Sequence, residues 1–480
     1  MPSSTYCSTA CWSTQKLNVN DSARDDGGRL VTSALRGPDR INVTEVIDNA
    51  RIGALQIRII LVCVLVSMFD GFDTQSIAFV APAIVRSWSL PLGRFGVIFS
   101  ATLLGTAIGS VLLGRLADRH GRRKLIAAAV AVFGIMTIGC GLARGFWSLL
   151  VLRFLAGLGL GGALPIFLAY ASEFAPQRAR ATMVVITLWG YPFGAVVGGL
   201  ASTQLIEHLG WPSVFFLGGA LPTLLAPILL RLLPESIRYL TLQSGSGPRV
   251  ARILRRIDCT ADFRDDSSYF LPEAMIRSRR IREVFEGRMA AATVLLGGAL
   301  FMSLLLSYLL LNWVPILFSA LGMPLGDALL GSVILNSSGI AGSFVWSQLM
   351  DRRRGALLVM SASYTLAAVA VGSLGAFGTS RGWILCGTAT VGFFLIGTQM
   401  SLTAFIADYY PSALRATGIG VTQAIGRCGS LFGPLVGGFL LSLGLSPTLV
   451  LRASALPALG VVVALLSLVM FNRSADSVSI

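Results

Sequence analysis

The stretch GRLADRHGRRK, residues 114–124, and the stretch SQLMDRRRG, residues 347–355, decide the fold of this chain. Each follows an apolar run of membrane-spanning length and carries an aspartate followed by arginines. Asp118 aligns with Asp351 at an offset of 351 − 118 = 233 residues. A second pair, SEFAPQRARAT from residue 172 and ADYYPSALRAT from residue 407, has an offset of 407 − 172 = 235 residues. Two motifs at nearly one offset predict two homologous halves.

The composition is that of a membrane protein that crosses the bilayer many times. Of the 480 residues, 54% are hydrophobic and only 13% are charged, whereas soluble domains carry about 25% charged residues. Apolar runs of about 20 residues, the length that a bilayer requires, recur along the chain. We expect twelve spans near residues 57–80, 94–114, 124–143, 148–171, 182–203, 213–233, 289–318, 329–349, 356–377, 383–405, 417–442 and 448–471.

These spans predict an all-α membrane protein built from two six-helix repeats. The N-terminal half covers residues 51–233 and the C-terminal half residues 289–472. A cytoplasmic loop, residues 234–288, joins them, and polar tails cover residues 1–50 and 473–480. The first forty residues or so contain no apolar core like that of a signal peptide, and we expect them to be disordered.

The distribution of arginine predicts the orientation in the membrane. One set of loops is rich in cations: Arg115, Arg119, Arg122, Arg123, Lys124, Arg178, Arg180, Arg352, Arg353, Arg354, Arg415 and Arg473. The opposite loops hold only scattered ones: Arg86, Arg94, Arg144 and Arg381. By the positive-inside rule the rich side is cytoplasmic, so both termini are predicted to be inside. The net charge of +15 then reflects topology and not nucleic-acid binding.

The chain contains no residue pattern typical of an enzyme or a metal protein. Its seven cysteines have no disulfide framework spacing, and the CSTAC segment that begins at Cys7 lacks further ligands at suitable spacing. The two histidines, His120 and His208, are placed in loops on opposite sides. No nucleotide-binding loop or Ser/His/Asp set is evident, so we expect no catalytic activity, no metal and no cofactor.

The repeated loop motifs predict a cytoplasmic gate. Charge pairs between helix ends can stabilise one closure and release another, and glycines permit tight turns between the helices. The alternative is that these cations serve only to anchor the loops inside. The predicted gate residues are Gly114, Asp118, Arg119, Gly121, Arg122, Arg123, Glu173 and Arg180, with Asp351, Arg352, Asp408 and Arg415 in the second half.

The same motifs resemble those of a known transporter family. GRLADRHGRRK, with RFLAGLGLGGALP (153–165) and LPESIRYL (233–240), is similar to the major facilitator superfamily. Four further motifs, FDGFDTQ (69–75), SEFAPQRARAT (172–182), YLLLNWVPILF (308–318) and AIGRCGSLFGPLVGG (424–438), resemble its aromatic acid/proton symporter family. The resemblance covers residues 41–471 and implies a transporter with a site between its halves.

Two carboxylates interrupt the first predicted span. Starting from residue 57, Asp70 and Asp73 lie about 20 and 24 Å along the helix at about 1.5 Å per residue. At a spacing of three residues they are expected on one helix face. Intramembrane carboxylates are functional candidates by default, and a carboxyl group that loads a proton outside and releases it inside is what a symporter requires. The resemblance implies Asp73 for proton coupling, supported by Asp70; the alternative is structural pairing with arginines.

Two arginines lie inside the predicted spans. Arg153 is in the fourth span, at about the depth of Asp70, and Arg427 is near the midplane of the eleventh. The second-half spans contain nothing acidic that would neutralise Arg427, and a guanidinium binds a carboxylate in a bidentate pair. We therefore expect Arg427 and Arg153 to bind a substrate carboxylate, with structural salt bridges as the alternative for each.

An aromatic acid also requires apolar walls and hydroxyl-reading groups. Candidates for ring stacking are Phe72, Trp189, Tyr191, Tyr308 and Trp313. Candidates for reading a ring hydroxyl are Asn312, Asn336 and Gln399, although polar side chains also hold helices together. The glycines of GLGLGG, residues 157–162, are expected to permit close helix packing.

The sequence therefore predicts a monomeric symporter in the inner (plasma) membrane that imports a small aromatic carboxylate with protons by alternating access. The alternative is a proton-coupled exporter of drugs or organic acids from the same superfamily. A buried arginine without an acidic neighbour favours an anionic solute over a sugar.

Overall fold

The structure is a computed structural model that describes residues 40–243, 245–258, 263–265, 267–271, 281–351, 355–374, 380–411 and 414–476. The predicted disordered tail, residues 1–39, lies outside the described residues. In the described part, twelve helices are long and apolar enough to cross a membrane. This number agrees with the sequence prediction.

The N-terminal half contains six long helices. They are α2 (Ala54–Trp88), α3 (Phe95–His120), α4 (Arg122–Gly141), α5 (Phe146–Phe174), α6 (Gln177–Leu209) and α7 (Pro212–Leu232), preceded by a short α1 (Val43–Asn49). Helix α2 is 35 residues long, longer than the predicted 57–80, because the helix continues past the apolar run at both ends. Within this half, α3 packs on α5, α2 on α6 and α4 on α7.

The C-terminal half repeats this arrangement. Its helices are α10 (Gly287–Ala320), α11 (Leu325–Asp351), α12 (Ala356–Leu374), α13 (Arg381–Val391), α14 (Gly397–Tyr409), α15 (Arg415–Ser442), α16 (Pro447–Ala453) and α17 (Ala455–Asp476). The predicted span 383–405 is not one regular helix, because a π-helical turn at Gly392–Ile396 separates α13 from α14. A Cβ at Gly392 would lie 2.3 Å from the Leu335 carbonyl oxygen, so the absence of a side chain permits α11 to pack directly on this turn.

A small extramembrane cap covers one end of the N-terminal half. It contains α8 (Ile237–Thr241), α9 (Gly247–Ile257) and the parallel strands β1 (Arg40–Asn42) and β2 (Ser268–Phe270). Helix α9 buries Val250, Leu254 and Ile257, at helical spacing. These side chains join one apolar cluster with Val43 and Ile47 of α1 and with helices of the N-terminal half. The end of the predicted polar tail is therefore folded onto the linker between the halves.

The two halves meet along three helix pairs: α3 with α15, α6 with α11, and α2 with α10. We call the end with the arginine-rich loops the basic end and the other the opposite end. A polar site between the halves is accordingly positioned by helices of both repeats, as expected for parallel repeats.

Candidate functional site

A cavity of about 100 Å³ lies between the two halves. The N-terminal half contributes Asp70, Thr74, Leu103, Thr106, Ala107, Leu160, Gly161, Leu164 and Tyr191, and the C-terminal half contributes Tyr308, Arg427 and Ser430. The cavity thus contains one carboxylate, one guanidinium and five hydroxyl groups. The sequence analysis singled out Asp70, Arg427, Tyr308 and Tyr191 but missed Thr74, Thr106 and Ser430, because single hydroxyl residues in apolar helices carry no distinguishing pattern.

Asp70 belongs to the N-terminal half and Arg427 to the C-terminal half, and both line this cavity. Asp70 is 5% exposed and accepts a hydrogen bond of 3.3 Å from the Thr74 hydroxyl. Arg427 is an exposed side chain that lines the cavity together with Asp70 and Tyr308. The acidic residues of 289–472 are Asp327, Asp351 and Asp408, all near helix ends. The carboxyl group that lines the cavity with Arg427 is that of Asp70, and it therefore belongs to the other half.

Asp73 points into the N-terminal half instead. Its Oδ2 lies 3.0 Å from Nη1 of Arg153, and its Oδ1 accepts a hydrogen bond of 2.6 Å from Thr137. Arg153 also donates to the Ser76 hydroxyl at 2.6 Å and lies 4.9 Å from the centre of the Phe215 ring. Asp73 and Arg153 are fully buried, so these two predicted site residues form a salt bridge with each other and do not line the cavity.

Of the five aromatic side chains named from the sequence, Tyr191 and Tyr308 line the cavity, together with leucines of α3 and α5. The other three do not. Phe72 packs where Gly198 and Gly218 leave space between α6 and α7. Trp189 contacts Phe344 edge to face at 4.7 Å between the halves. Trp313 donates to the Pro434 carbonyl oxygen at 3.0 Å and contacts Phe99. All three pack between helices away from the cavity lining.

The amide side chains expected to read a ring hydroxyl are hydrogen-bonded to other groups of the C-terminal half. Asn336 donates to the Ser332 carbonyl oxygen at 2.9 Å, and Asn312 donates to that of Tyr308 at 2.7 Å. Gln399 accepts a hydrogen bond of 2.5 Å from Ser307. None of the three is among the residues that line the cavity. They serve as polar contacts within helices of the C-terminal half.

Close packing of α3 on α5 sets the position of the leucine walls. A Cβ on Gly157 would lie 2.2 Å from the Thr102 carbonyl oxygen, and one on Gly161 would lie 2.0 Å from that of Thr106. From the other side, a Cβ on Gly105 would lie 2.2 Å from the carbonyl oxygen of Phe154. Glycines on both helices permit this approach, which is the role predicted for the GLGLGG stretch.

The cavity is closed toward the opposite end. A Cβ on Gly438 of α15 would lie 2.5 Å from the Gly93 carbonyl oxygen and 3.2 Å from Cα of Gly96. Ser100 of α3 donates to the Leu431 carbonyl oxygen of α15 at 2.8 Å, and Arg86 donates to the Ser319 hydroxyl at 3.0 Å. At this end, backbone atoms of the two halves are therefore in direct contact.

A separate groove of about 920 Å³ follows α3 toward the basic end. Its lining residues all belong to α3 and run from Ala107, which also lines the cavity, to Asp118 and Arg119. Val111 and Leu112, within this groove, are 54% and 59% exposed. The two halves are thus in contact at the opposite end, while the groove extends along α3 at the basic end.

Several of the predicted gate residues of the first half form a charge network at the basic end. Arg122 lies 2.5 Å from Glu173 and 3.8 Å from Asp118. Ser236 donates to Glu173 at 2.6 Å, and the backbone oxygen of Arg119 accepts a hydrogen bond from Tyr239. These contacts join α3, α4, α5 and the segment after α7, all within the N-terminal half and its linker.

Glu235 is a further charged side chain at the basic end that the sequence analysis did not name among the predicted gate residues. Its carboxylate accepts a hydrogen bond of 3.1 Å from the backbone N–H of Arg123, at the start of α4, where a helix favours negative charge. Gly121 adopts φ +94°, and a Cβ there would lie 2.9 Å from this carboxylate. The Arg123 guanidinium donates to the Leu230 carbonyl oxygen. The signal was available in the LPESIRYL motif.

Gly114 does not form a turn, contrary to expectation. It lies inside α3, which continues to His120, and a Cβ there would have nothing within 4 Å. The expectation failed because the motif begins one and a half turns before the helix ends. Gly121 alone occupies the turn.

The second-half motif repeats one contact of the first. Nε of Arg180 donates to the Ala175 carbonyl oxygen at 3.4 Å, and Nε of Arg415 donates to that of Tyr410 at 3.5 Å. Arg180 also lies 3.6 Å from Asp48 of α1. Asp408 is exposed. Arg352 and the side chain of Asp351 lie outside the described residues.

This fold and site define a membrane transporter with two repeated halves and a central polar cavity. Residues 63–434 match the family model of the Major Facilitator Superfamily. A gallate transporter of Pseudomonas putida is 36% identical over 89% of this chain and 95% of its own length. A 4-hydroxybenzoate transporter of Pseudomonas aeruginosa is 35% identical over 88% of this chain and 95% of its own.

The fold itself has solved counterparts. The crystal structure of a D-xylose–proton symporter, 18% identical, superimposes with a TM-score of 0.64 over 84% of this chain and 97% of its own. The chain belongs to the Major Facilitator Superfamily and, within it, to the aromatic acid transporter family. It is a transporter and not an enzyme, and the recognition made from the sequence motifs is confirmed.

Proposed function

We propose that this protein imports a small aromatic carboxylate together with protons, by alternating access, across the inner membrane. Both termini and the basic end are cytoplasmic in this proposal, and the monomer is the working unit. The observation that supports it most directly is the placement of Arg427. This guanidinium lines a cavity between the halves, and the acidic residues of its own half lie near helix ends.

Arg427 is the group that binds the substrate carboxylate. A guanidinium presents paired N–H donors that match the two oxygens of a carboxylate, and such charge-assisted hydrogen bonds are strong where water is scarce. The leucines of α3 and α5 that line the cavity supply an apolar surface for the ring. Tyr308, beside Arg427, provides a further donor for the bound anion.

Asp70 is the group that couples a proton to the substrate. Asp70 and the incoming carboxylate share the single guanidinium that lines this cavity, so two anions would face one cation. Protonation of Asp70 removes the excess negative charge, and binding of substrate and of proton therefore favour each other reciprocally. Asp73 supports this step indirectly, because its salt bridge with Arg153 attaches α2, which carries Asp70, to α5.

The contacts between the halves support alternating access. The opposite end is closed by the backbone contacts of Gly438, and transport requires these contacts to open and re-form. If the basic end is cytoplasmic, as the positive-inside rule predicts, the closed end faces outward. The curated relatives, named as gallate and 4-hydroxybenzoate transporters, support an aromatic carboxylate as the substrate.

The experiment that tests the proposal compares accumulation with exchange. Purified protein in proteoliposomes is given labelled 4-hydroxybenzoate, either with an inwardly directed proton gradient or as counterflow against internal unlabelled substrate. We expect the wild type to perform both, and Asp70→Asn to keep counterflow while losing accumulation driven by the gradient. Arg427→Ala is expected to lose both, because counterflow still requires binding.

Each alternative has its own signature in this assay. Gradient-driven accumulation by Asp70→Asn equal to that of the wild type would show that Asp70 carries no coupled proton. Expulsion of substrate when protons enter would support the exporter of drugs or organic acids. Absence of both counterflow and accumulation in the wild type, with gallate and benzoate also tested, would exclude aromatic carboxylates.

A further inference from the structure

Helix α9 of the cap has one apolar face and one basic face. Its apolar side chains, Val250 and Leu254 among them, are buried against the N-terminal half. On the other side Arg249, Arg252 and Arg256 are exposed, at the spacing i, i+3, i+7 that places them on one line along the helix. We call these three side chains the α9 stripe. None of the three has a hydrogen-bond or ion-pair partner among the residues that the structure describes.

We propose that the α9 stripe binds the anionic headgroups of phospholipids and holds the cap against the membrane surface. Guanidinium groups form charge-assisted hydrogen bonds with phosphate oxygens. Basic residues on an amphipathic helix next to a membrane span attract anionic lipids. This inference goes beyond the proposed function, because it concerns neither the substrate nor proton coupling.

The C-terminal end of α9 lies at the level of the headgroups. The Ile257 carbonyl oxygen would be 4.0 Å from a Cβ on Gly53, the N-cap of the first membrane-spanning helix. Ile57 and Leu61 of that helix are 51% and 63% exposed, so this face of α2 contacts acyl chains. Ile57 is four residues from Gly53, or about 6 Å at about 1.5 Å per residue, and a headgroup layer is about 5–7 Å thick. Arg256, which precedes Ile257, is therefore placed among the headgroups.

Two carboxylates of the described linker are bound to groups other than the stripe. Asp265 lies 2.8 Å from Arg255, which stands beside the stripe on α9. Glu235 accepts its hydrogen bond from the backbone N–H of Arg123. Arg58 of α2 is exposed as well, next to the lipid-facing residues of that helix. The stripe and Arg58 thus present cations at the membrane surface, where anionic phosphates complement them.

An exposed apolar side chain accompanies the stripe. Leu242 follows α8, which packs on α9, and is 75% exposed although it lies outside the membrane spans. Insertion of this side chain at the boundary between headgroups and acyl chains would remove its apolar surface from water. Basic residues combined with an exposed leucine are typical of helices that lie in the membrane interface.

The test measures the Tm of purified protein in detergent while phosphatidylglycerol, which is anionic, or phosphatidylcholine, which has no net charge, is added. We expect phosphatidylglycerol to raise the Tm of the wild type at lower concentration than phosphatidylcholine. The variant with Arg249→Gln, Arg252→Gln and Arg256→Gln should require about 100-fold more phosphatidylglycerol for half the effect, because each cation near an anionic surface contributes about fivefold in affinity. Its Tm in phosphatidylcholine should equal that of the wild type, which shows that the cap remains folded.

Two further variants serve as matched controls. Lysine at the three stripe positions keeps the charge and should keep most of the response to phosphatidylglycerol. Arg255→Gln combined with Arg282→Gln removes two cations of the same linker that are paired with Asp265 and Glu286, and should respond as the wild type does.

Glycerol 3-phosphate, a soluble form of the headgroup, distinguishes a lipid surface from a free phosphate. We expect it to leave the Tm unchanged at the same phosphate concentration, and equal stabilisation by it would overturn the inference. An unchanged response to phosphatidylglycerol in the glutamine variant would do so too. An equal response of the wild type to the two lipids would assign the stripe to a soluble acidic partner instead. None of these measurements depends on transport, so such a failure would not bear on the proposed function.

Discussion

Asp73 and Arg153 form a salt bridge in which neither side chain is exposed to solvent. Nη1 of Arg153 lies 3.0 Å from Oδ2 of Asp73, and Nη2 lies 3.2 Å from the Asp73 backbone oxygen. Thr137 completes the coordination of the carboxylate from a third helix. The pair thus connects α2, α4 and α5 around two charges that balance each other, and removal of one would leave the other unpaired in an apolar bundle.

Replacing one member of this pair should destabilise the protein more than replacing both. Asp73→Asn or Arg153→Met is expected to lower stability by about 3–5 kcal/mol, because one buried charge loses its partner. The double variant should recover part of that loss. The measurement is the Tm of purified protein in detergent, with the fraction that remains monodisperse after heating.

The control for this prediction is the pair of Asp327 and Arg381, which lie 2.8 Å apart with the Arg381 side chain 67% exposed. Arg381→Ala should change stability by no more than about 1 kcal/mol. Equal loss of Tm in Arg381→Ala and Arg153→Met would contradict the assignment of a special role to the buried pair.

Arg427 should control substrate affinity. Arg427→Ala is expected to reduce Vmax/KM for 4-hydroxybenzoate by about 10- to 100-fold, the effect of losing a hydrogen bond to a charged group. Arg427→Lys keeps the charge but loses the planar fork, so it should retain part of the affinity. The measurement is initial uptake at equal protein content, with Arg144→Ala, in a loop at the opposite end, as the unaffected control. Unchanged KM in Arg427→Ala would place the carboxylate elsewhere.

The contact between α3 and α15 should set how well the opposite end closes. In Gly438→Ala the new Cβ would lie 2.5 Å from a backbone oxygen of the other half, so the closed arrangement becomes unfavourable. We expect uptake to fall several-fold and cysteines placed along the cavity to become more reactive toward an impermeant reagent added outside. Gly298→Ala, where a Cβ has nothing within 4 Å, should behave as the wild type. A fully active Gly438→Ala would show that closure does not depend on this contact.

The two glycines of the first loop motif should respond differently to alanine. Gly121→Ala forces a side chain into a left-handed backbone conformation at φ +94° and toward the Glu235 carboxylate, and should destabilise the turn by about 1–2 kcal/mol. Gly114→Ala lies in open space inside α3 and should be neutral or stabilising by up to about 1 kcal/mol. Uptake rate and Tm check both. The prediction fails if the two variants are indistinguishable.

Much of the fold could be predicted from the sequence because each spanning helix satisfies its own backbone hydrogen bonds. The apolar runs therefore predict twelve spans, whatever their neighbours, and the spacing of Asp118 and Asp351 predicts two repeats. The structure adds the turn at Gly392–Ile396, which arises from packing against α11 and has no local sequence signal. It also adds the cap, in which residues distant in sequence pair as β1 and β2.

The candidate site could be predicted by residue type but not by arrangement. Asp70, Asp73, Arg153 and Arg427 are conspicuous because charges are rare in membrane spans. Their pairing was not accessible, since the rotation of each helix about its axis depends on how it packs against its neighbours. Asp70 and Asp73, expected on one face, differ enough in direction that one lines the cavity and the other binds Arg153.

The sequence by itself determined the class of this protein, since composition, repeat spacing and loop motifs depend only on residue order. The tertiary structure decided which charges meet. Helix packing placed Asp73 against Arg153 and left Asp70 and Arg427 facing one cavity from opposite halves. It also placed leucines of α3 and α5 beside Tyr191 and Tyr308 in the cavity lining and kept Phe72, Trp189 and Trp313 out of it. Glycines of α3 and α5 permit those two helices to approach closely. Contacts of this kind depend on helix rotation and depth, which local hydropathy does not encode.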